Sequence, residues 1–291
     1  MWSARPAGDA GGLELPFRLT LVYLLLRPMG PWPVRATMLG LAAAGLVSRR
    51  VLVAPLTWLV LSLLAAARLI VEWPLPDNHI YLLAYWCGAA AIALALPDPR
   101  PTLARSSRLL IGLAFACAVA WKAGLSEDYR DGRFFRVTLL TDERFADTAR
   151  LVGGLTEAQL DENRRFLTPL PKGAELLQPR RLHEPPRLRA FAWAATWCGL
   201  ALEAAVALVF LAPATPERRT LGHLALLGFC VVTYAVAPVA GFGWLLLVMG
   251  LATAAPSERV LVRAYVAAFL LVLVYSEVPW AGAALQWLGE G

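Results

Sequence analysis

Apolar runs of membrane-crossing length recur along this chain, and that repetition constrains its fold more than any other feature. A spanning helix needs about 20 mostly apolar residues to cross a hydrocarbon core about 30 Å thick. Runs of that kind cover 51–71, 79–96, 106–124, 190–212, 221–240 and 260–278, and shorter ones cover 14–29, 33–47 and 242–255. The first two short runs flank a break containing Pro28, Gly30, Pro31 and Pro33, so they form either a tilted hairpin or one broken element. The third follows Pro238 and Gly241.

Charge placement tests the count, because cytoplasmic loops collect Arg and Lys. With the N-terminus inside, the inner loops hold Arg49 and Arg50, then Arg100, Arg105 and Arg108, then Arg218 and Arg219, then Arg259 and Arg263. The short outer loops at 72–78 and 237–243 hold none, although Arg27 and Arg35 lie at the uncertain first turn. The expected fold is therefore all-α: a polytopic transmembrane helical bundle of about nine spans with a helical extramembrane insert. An eight-span arrangement that merges the first pair is the rival. The expected units are 1–124 with five spans, the insert at 125–188, and 189–291 with four more.

The insert is charged, dotted with Pro and too polar to span. One amphipathic helix is predicted from near Thr141 to the Gly153-Gly154 pair. A second follows Thr156, whose hydroxyl can cap it while Gln159 reaches back. The tail to residue 188 reads as loop. In this topology the insert lies outside; its Arg residues are tolerated there because long loops follow the charge rule weakly.

Composition agrees with a membrane protein. Charged residues make up 16% of the chain, against about 25% in a typical soluble domain. The net charge of +6 does not imply nucleic-acid binding, because the Arg residues are scattered between apolar runs instead of sharing one polar face. All basic residues except Lys122 and Lys172 are Arg, a bias that, with abundant Ala, Leu, Gly and Pro, reads as a GC-rich bacterial genome. Cys87, Cys117, Cys198 and Cys230 fall inside apolar runs and are expected to be small buried hydrophobes, with no disulfide or zinc framework. Residues 1–14 contain no apolar core of a cleavable signal, so a multi-pass inner-membrane protein with a cytoplasmic N-terminus is expected. Phosphate-loop, dinucleotide, metalloprotease and serine-hydrolase motifs are absent.

Ionisable groups at membrane depth are costly and mark candidate function. Arg68 and Glu72 have the spacing of a helical ion pair, the plain alternative to a functional role. Asn78 and His79 open the fourth span, and Lys122 closes the fifth at the same outer depth. Glu203 lies inside the sixth on one face with Thr196 and Gly199, a small and polar stripe that faces protein. Arg68, His79 and Lys122 on sequential spans are thus expected to line one outward cavity. Desolvation there favours an uncharged amine and makes Lys122 a candidate general base, with snorkelling to the headgroups as the alternative. His223 is expected at the inner interface.

Several segments resemble the vitamin K-dependent gamma-carboxylase and its bacterial HTTM (horizontally transferred transmembrane) relatives. Trp73, Asn78, His79 and Tyr81 look like that family's Trp…Asn-His-x-Tyr-Leu motif opening a span. The stretch 117–132 is similar to the span end where a Lys precedes an acidic residue, an aromatic and a Gly, although Lys122 stands about two residues earlier relative to Tyr129 and Gly132. The acidic span at 197–211 and the later span at 228–252 follow the family's order, with Phe229-Cys230 where the family has Phe-His. The resemblance extends over roughly 16–255. It implies the fold, a functional His79, and Lys122 as the base that deprotonates a lipophilic quinol. It implies carboxylation of glutamyl residues less, since no large lumenal domain is expected after the last span. On this reading Lys122 and His79 are catalytic, and Asn78, Tyr81, Arg68 and Glu203 bind a lipophilic quinol or lipid; no cofactor or protein partner is specified. A transporter or lipid-handling protein, and a scaffold that binds a partner through the insert, are the other two classes the sequence accommodates.

Overall fold

A computed structural model describes residues 12–288 apart from 75–76, 171, 174, 176–180, 237–239 and 278–279. The N-terminal stretch ahead of Gly12, Pro238, and part of the loop-like tail of the insert therefore lie outside the described residues. All described secondary structure is helical. The first two helices, α1 (Glu14–Leu26) and α2 (Trp32–Val47), pack against each other as a hairpin, not as one broken element. The turn between them requires the left-handed conformation of Gly30 (φ 85°).

The expected single run at 51–71 is divided. A short α3 (Arg49–Leu52) ends at Val53, and α4 (Pro55–Val71) restarts with Pro55 in its first turn. Proline lacks the N–H that would continue the preceding helix, yet its fixed φ suits a helix start. Next come α5 (Asn78–Ala95) and α6 (Pro99–Ala120), which runs on into a π-helical turn over Trp121–Leu125. The polar residues 99–105 join α6 because Arg and Thr support a helix well enough once Pro99 has opened it.

The insert contains α7 (Glu127–Arg130), α8 (Arg133–Thr141), α9 (Ala146–Gly153) and α10 (Glu157–Leu167). The predicted stop at Gly153-Gly154 is present, with Gly154 left-handed at φ 67°. So is the capping box, in which Gln159 N–H donates to the Thr156 hydroxyl and the Thr156 N–H donates to the Gln159 side chain. The first predicted helix differs: α8 precedes it, because Phe134, Phe135, Leu139 and Leu140 supply an apolar face whose period was hidden among charges. After the insert follow α11 (Pro186–Leu211), α12 (Pro216–Val236), α13 (Ala240–Thr253), α14 (Arg259–Glu277) and α15 (Trp280–Trp287).

Among the described residues, three helical stretches are both long and apolar enough to cross a membrane: Asn78–Ala95, Pro99–Leu125 and Pro186–Leu211. Trp32–Val47 and Pro55–Val71 are apolar but shorter. The 26 residues of α11 extend about 39 Å at the usual helical rise, more than the hydrocarbon thickness. Its N-terminal turns consequently project beyond the bundle, and the insert packs on them.

Two apolar cores result. The larger joins α1, α2, α4–α6 and α11–α14 around fully buried Trp58, Trp86 and Trp244. Each indole N–H has a partner, as a buried donor requires: the Leu52 carbonyl at 2.7 Å, the Thr20 hydroxyl at 3.0 Å and the Phe269 carbonyl at 3.1 Å. The smaller core gathers Leu139, Leu140, Phe145, Ala149, Leu155 and Leu160 onto Leu188 and Ala192 of α11. Cys87 and Cys230 are buried as expected, whereas Cys117 and Cys198 are exposed, contrary to that expectation, because they lie on faces of α6 and α11 that no described helix covers.

Asn163 secures the insert's tail. Its side chain is fully buried; Nδ2 donates to the His183 carbonyl at 2.9 Å and Oδ1 accepts from the His183 N–H at 2.7 Å. Asn163→Leu leaves both backbone groups without a partner, a cost of about 2–3 kcal/mol. Limited proteolysis should then cleave the 168–185 segment well before any other site. Unchanged protection would show that this pair of bonds does not hold the tail.

Candidate functional site

The polar groups singled out in the sequence gather at the insert end of the bundle, but in two groups. The first is built on α6, α7 and α11. The Lys122 ammonium forms an ion pair with the Glu203 carboxylate and lies 4.9 Å above the centre of the Tyr129 ring. Three features produce this arrangement. The π-helical turn closes with the Ser126 N–H donating to the Trp121 carbonyl at 3.0 Å, rotating Lys122 relative to a regular α6. The Ser126 side chain then caps α7 by accepting from the Tyr129 N–H, directing the phenol back under the insert. Gly132, left-handed at φ 75°, turns the chain beside Trp193 and Thr196 of α11, where a Cβ would come within 3.5 Å of Trp193 Cα.

The stripe on α11 faces protein, as its composition predicted. Thr196 and Glu203 are buried and Gly199 is half-buried beneath the Tyr129 hydroxyl. Burial, and then the Glu203 carboxylate, raise the Tyr129 phenol well above its ordinary pKa. The phenol is therefore a neutral hydrogen-bond donor near neutral pH. One carboxylate oxygen of Glu203 contacts Lys122; the other, Oε2, is buried without a hydrogen-bond partner among the described residues.

The second group lies across α13. Arg68 pairs with Glu72 at 2.6 Å, the plain helical alternative. His79 is half-buried, its ring filling the space that a Cβ on Gly241 would occupy at 3.1 Å. Asn78 is exposed and Tyr81 half-buried on α5. Where α6, α12 and α13 meet, Phe229 and Phe242 pack on Phe115 at 4.7 Å and 6.2 Å between ring centres.

α5 starts where antiparallel α6 ends, so His79 and Lys122 share one end of the bundle. The contacts of Lys122, however, go to Glu203 and Tyr129, not to His79 or Arg68. Their common depth is legible from sequence spacing; the contacts that Lys122 makes instead, with Glu203 and Tyr129, are not. The partnership of Lys122 with Glu203 is equally hidden, because the two stand 81 positions apart on different helices.

No protein-family model matches the chain, and no curated protein or solved structure shows significant similarity to it. An ammonium, a carboxylate with one unsatisfied oxygen and a neutral phenol can together hold a hydroxyl-bearing ligand and share its proton. Among the described residues, no cluster of His, Cys, Asp and Glu is arranged to hold a metal ion.

Proposed function

We propose that this chain is a multi-pass membrane protein that binds a hydroxylated lipophilic molecule, a quinol or lipid, at the Lys122–Glu203–Tyr129 group. The single observation that carries this reading is Glu203 Oε2, a buried acceptor beside an ammonium and without a donor. Buried acceptors normally have a donor, and a ligand hydroxyl supplies one. Lys122 then steadies the developing oxyanion and Glu203 accepts the proton, a division of labour that gives Glu203, not Lys122, the part of base. The resemblance to HTTM and vitamin K-dependent carboxylase relatives agrees with a lipophilic quinol and with His79, at the same end of the bundle, as a contributor.

The same reading has nine crossings: α1, α2, α4, α5, α6 and α11–α14, alternating in direction. Exposed Trp32, Trp73, Trp121, Trp193 and Trp197 at the insert end support it, since Trp favours the headgroup region. The opposite end carries Arg18, Arg49, Arg100, Arg108 and Arg219, each donating to a backbone carbonyl or carboxylate. Arg at that end supports a cytoplasmic position for it and an outside position for the insert.

The test is equilibrium binding of a menaquinol analogue to purified protein in detergent. The paired replacement Lys122→Met with Glu203→Leu should abolish binding while the protein stays folded, and His79→Ala should weaken it less. Undiminished binding by the paired variant would remove this site, and binding lost only on deletion of 141–167 would favour a partner-binding insert.

A further inference from the structure

The arginine end of the bundle holds a second site. A cavity of about 520 Å³ opens between α6, α11 and α12, lined by Arg105, Arg108, Arg218, Arg219 and His223 with Leu109 on its apolar side. No acidic residue lines it. The carboxylate nearest in function, Glu258, is engaged with Arg219 at 2.8 Å, and Glu217 on α12 is exposed. The four guanidinium groups have unequal duties. Arg108 closes the C-terminus of α11, donating to the Phe210 carbonyl at 2.8 Å and to those of Val209 and Ala212. Arg218 has only a long contact to the Pro213 carbonyl at 3.5 Å, and Arg105 has no hydrogen-bond or ion-pair partner among the described residues.

His223 supplies the second, independent observation. It was expected at the interface, but it is 4% exposed, because Gly222 lets α12 close on Phe210 and carries the ring inward. Its Nδ1 meets the Tyr265 hydroxyl at 2.8 Å, and its Nε2 is buried without a partner. In the tautomer whose Nδ1 accepts from the phenol, the imidazole hydrogen sits on Nε2, a buried donor on a residue that lines the cationic cavity.

We infer that this cavity binds a phosphate group, with Arg105 and Arg218 contacting its oxygens and His223 Nε2 donating a further hydrogen bond. Planar guanidinium groups match phosphate oxygens with paired N–H donors, which suits a cavity lined by four of them. The apolar wall indicates how such a group arrives. Leu109 and Leu113, one turn apart on α6, are both exposed and carry an apolar strip from the arginines toward the middle of the helix. An anionic phospholipid, headgroup in the cavity and acyl chain along the strip, fits both parts; a free phosphate fits only the first. The inference rests on the membrane placement proposed above and is independent of the Lys122 group.

Binding of phosphatidylglycerol in mixed micelles, against phosphatidylcholine micelles and against soluble glycerol phosphate, tests it by ligand-induced rise in unfolding temperature. The native protein should respond to phosphatidylglycerol, and R105Q/R218Q should weaken the apparent affinity roughly tenfold or more. His223→Phe should weaken it further, while Gly228→Ala, where a Cβ meets nothing within 4 Å, should leave it unchanged. An equal response to glycerol phosphate supports the phosphate site with a soluble source. No response to either, or full affinity in R105Q/R218Q, overturns it. Recovery of the native protein in the membrane fraction checks the placement separately.

Discussion

Glu203→Leu is expected to lower the stability of the detergent-solubilised protein by about 2–3 kcal/mol, seen as a fall of several degrees in unfolding temperature. Removing one partner of a buried ion pair costs about 3–5 kcal/mol, because the remaining charge has neither water nor counter-ion. The cost here sits below that range, since the Lys122 side chain is 24% exposed and can bend toward the headgroups. Lys122→Met should cost a similar amount, because it leaves the Glu203 carboxylate, 11% exposed, as an isolated charge. The two together should recover most of the loss, as replacing a whole buried pair with apolar residues of similar size is often neutral. This non-additivity separates a pair from two unrelated residues: if the double variant lost the sum of the singles, Lys122 and Glu203 would not be partners. It also separates structure from function, because the restored double variant should still fail to bind quinol.

Periodicity and turn chemistry made much of the fold legible. The apolar runs located most of the long helices, though not the break before Pro55 or the polar start of α6; Gly30 and its neighbouring prolines marked the break between α1 and α2, and the Thr156–Gln159 spacing gave the start of α10. These features are local: each depends on a few side chains and the backbone beside them. Long-range partners were not legible in the same way. Lys122 and Glu203 are 81 positions apart, and nothing in either neighbourhood indicates that a π-helical turn at Trp121 brings them together. His223 failed for a related reason. It lies four residues after Arg219 and reads as interfacial, but Gly222 and the Tyr265 hydroxyl on α14 draw it inward. Glycine was the readable signal in both places, although it says only that something comes close.

Gly250→Ala is expected to cost about 2–3 kcal/mol, an unusually large effect for one methyl group in a helix. The added Cβ would lie 2.6 Å and 2.8 Å from Tyr265 ring atoms and 2.7 Å from Leu226 Cδ2. Overpacking of this kind costs about 1–3 kcal/mol. Tyr265 cannot turn away freely, because its ring is buried and its hydroxyl is held by His223 Nδ1; displacing it also forfeits a hydrogen bond worth about 1 kcal/mol. Helix propensity acts in the opposite direction, favouring Ala over Gly by about 1 kcal/mol, so the net loss reports the crowding. Gly228 on α12 is the control: a Cβ there meets nothing within 4 Å, and Gly228→Ala should leave stability unchanged or raise it. Because the crowded ring orients His223, Gly250→Ala should also reduce the phosphatidylglycerol response at the arginine-lined cavity, whereas Gly228→Ala should not. Equal stability of the two variants would mean that α13 and α14 are not in close contact at Gly250, and His223 would then lose the support that aims its Nε2.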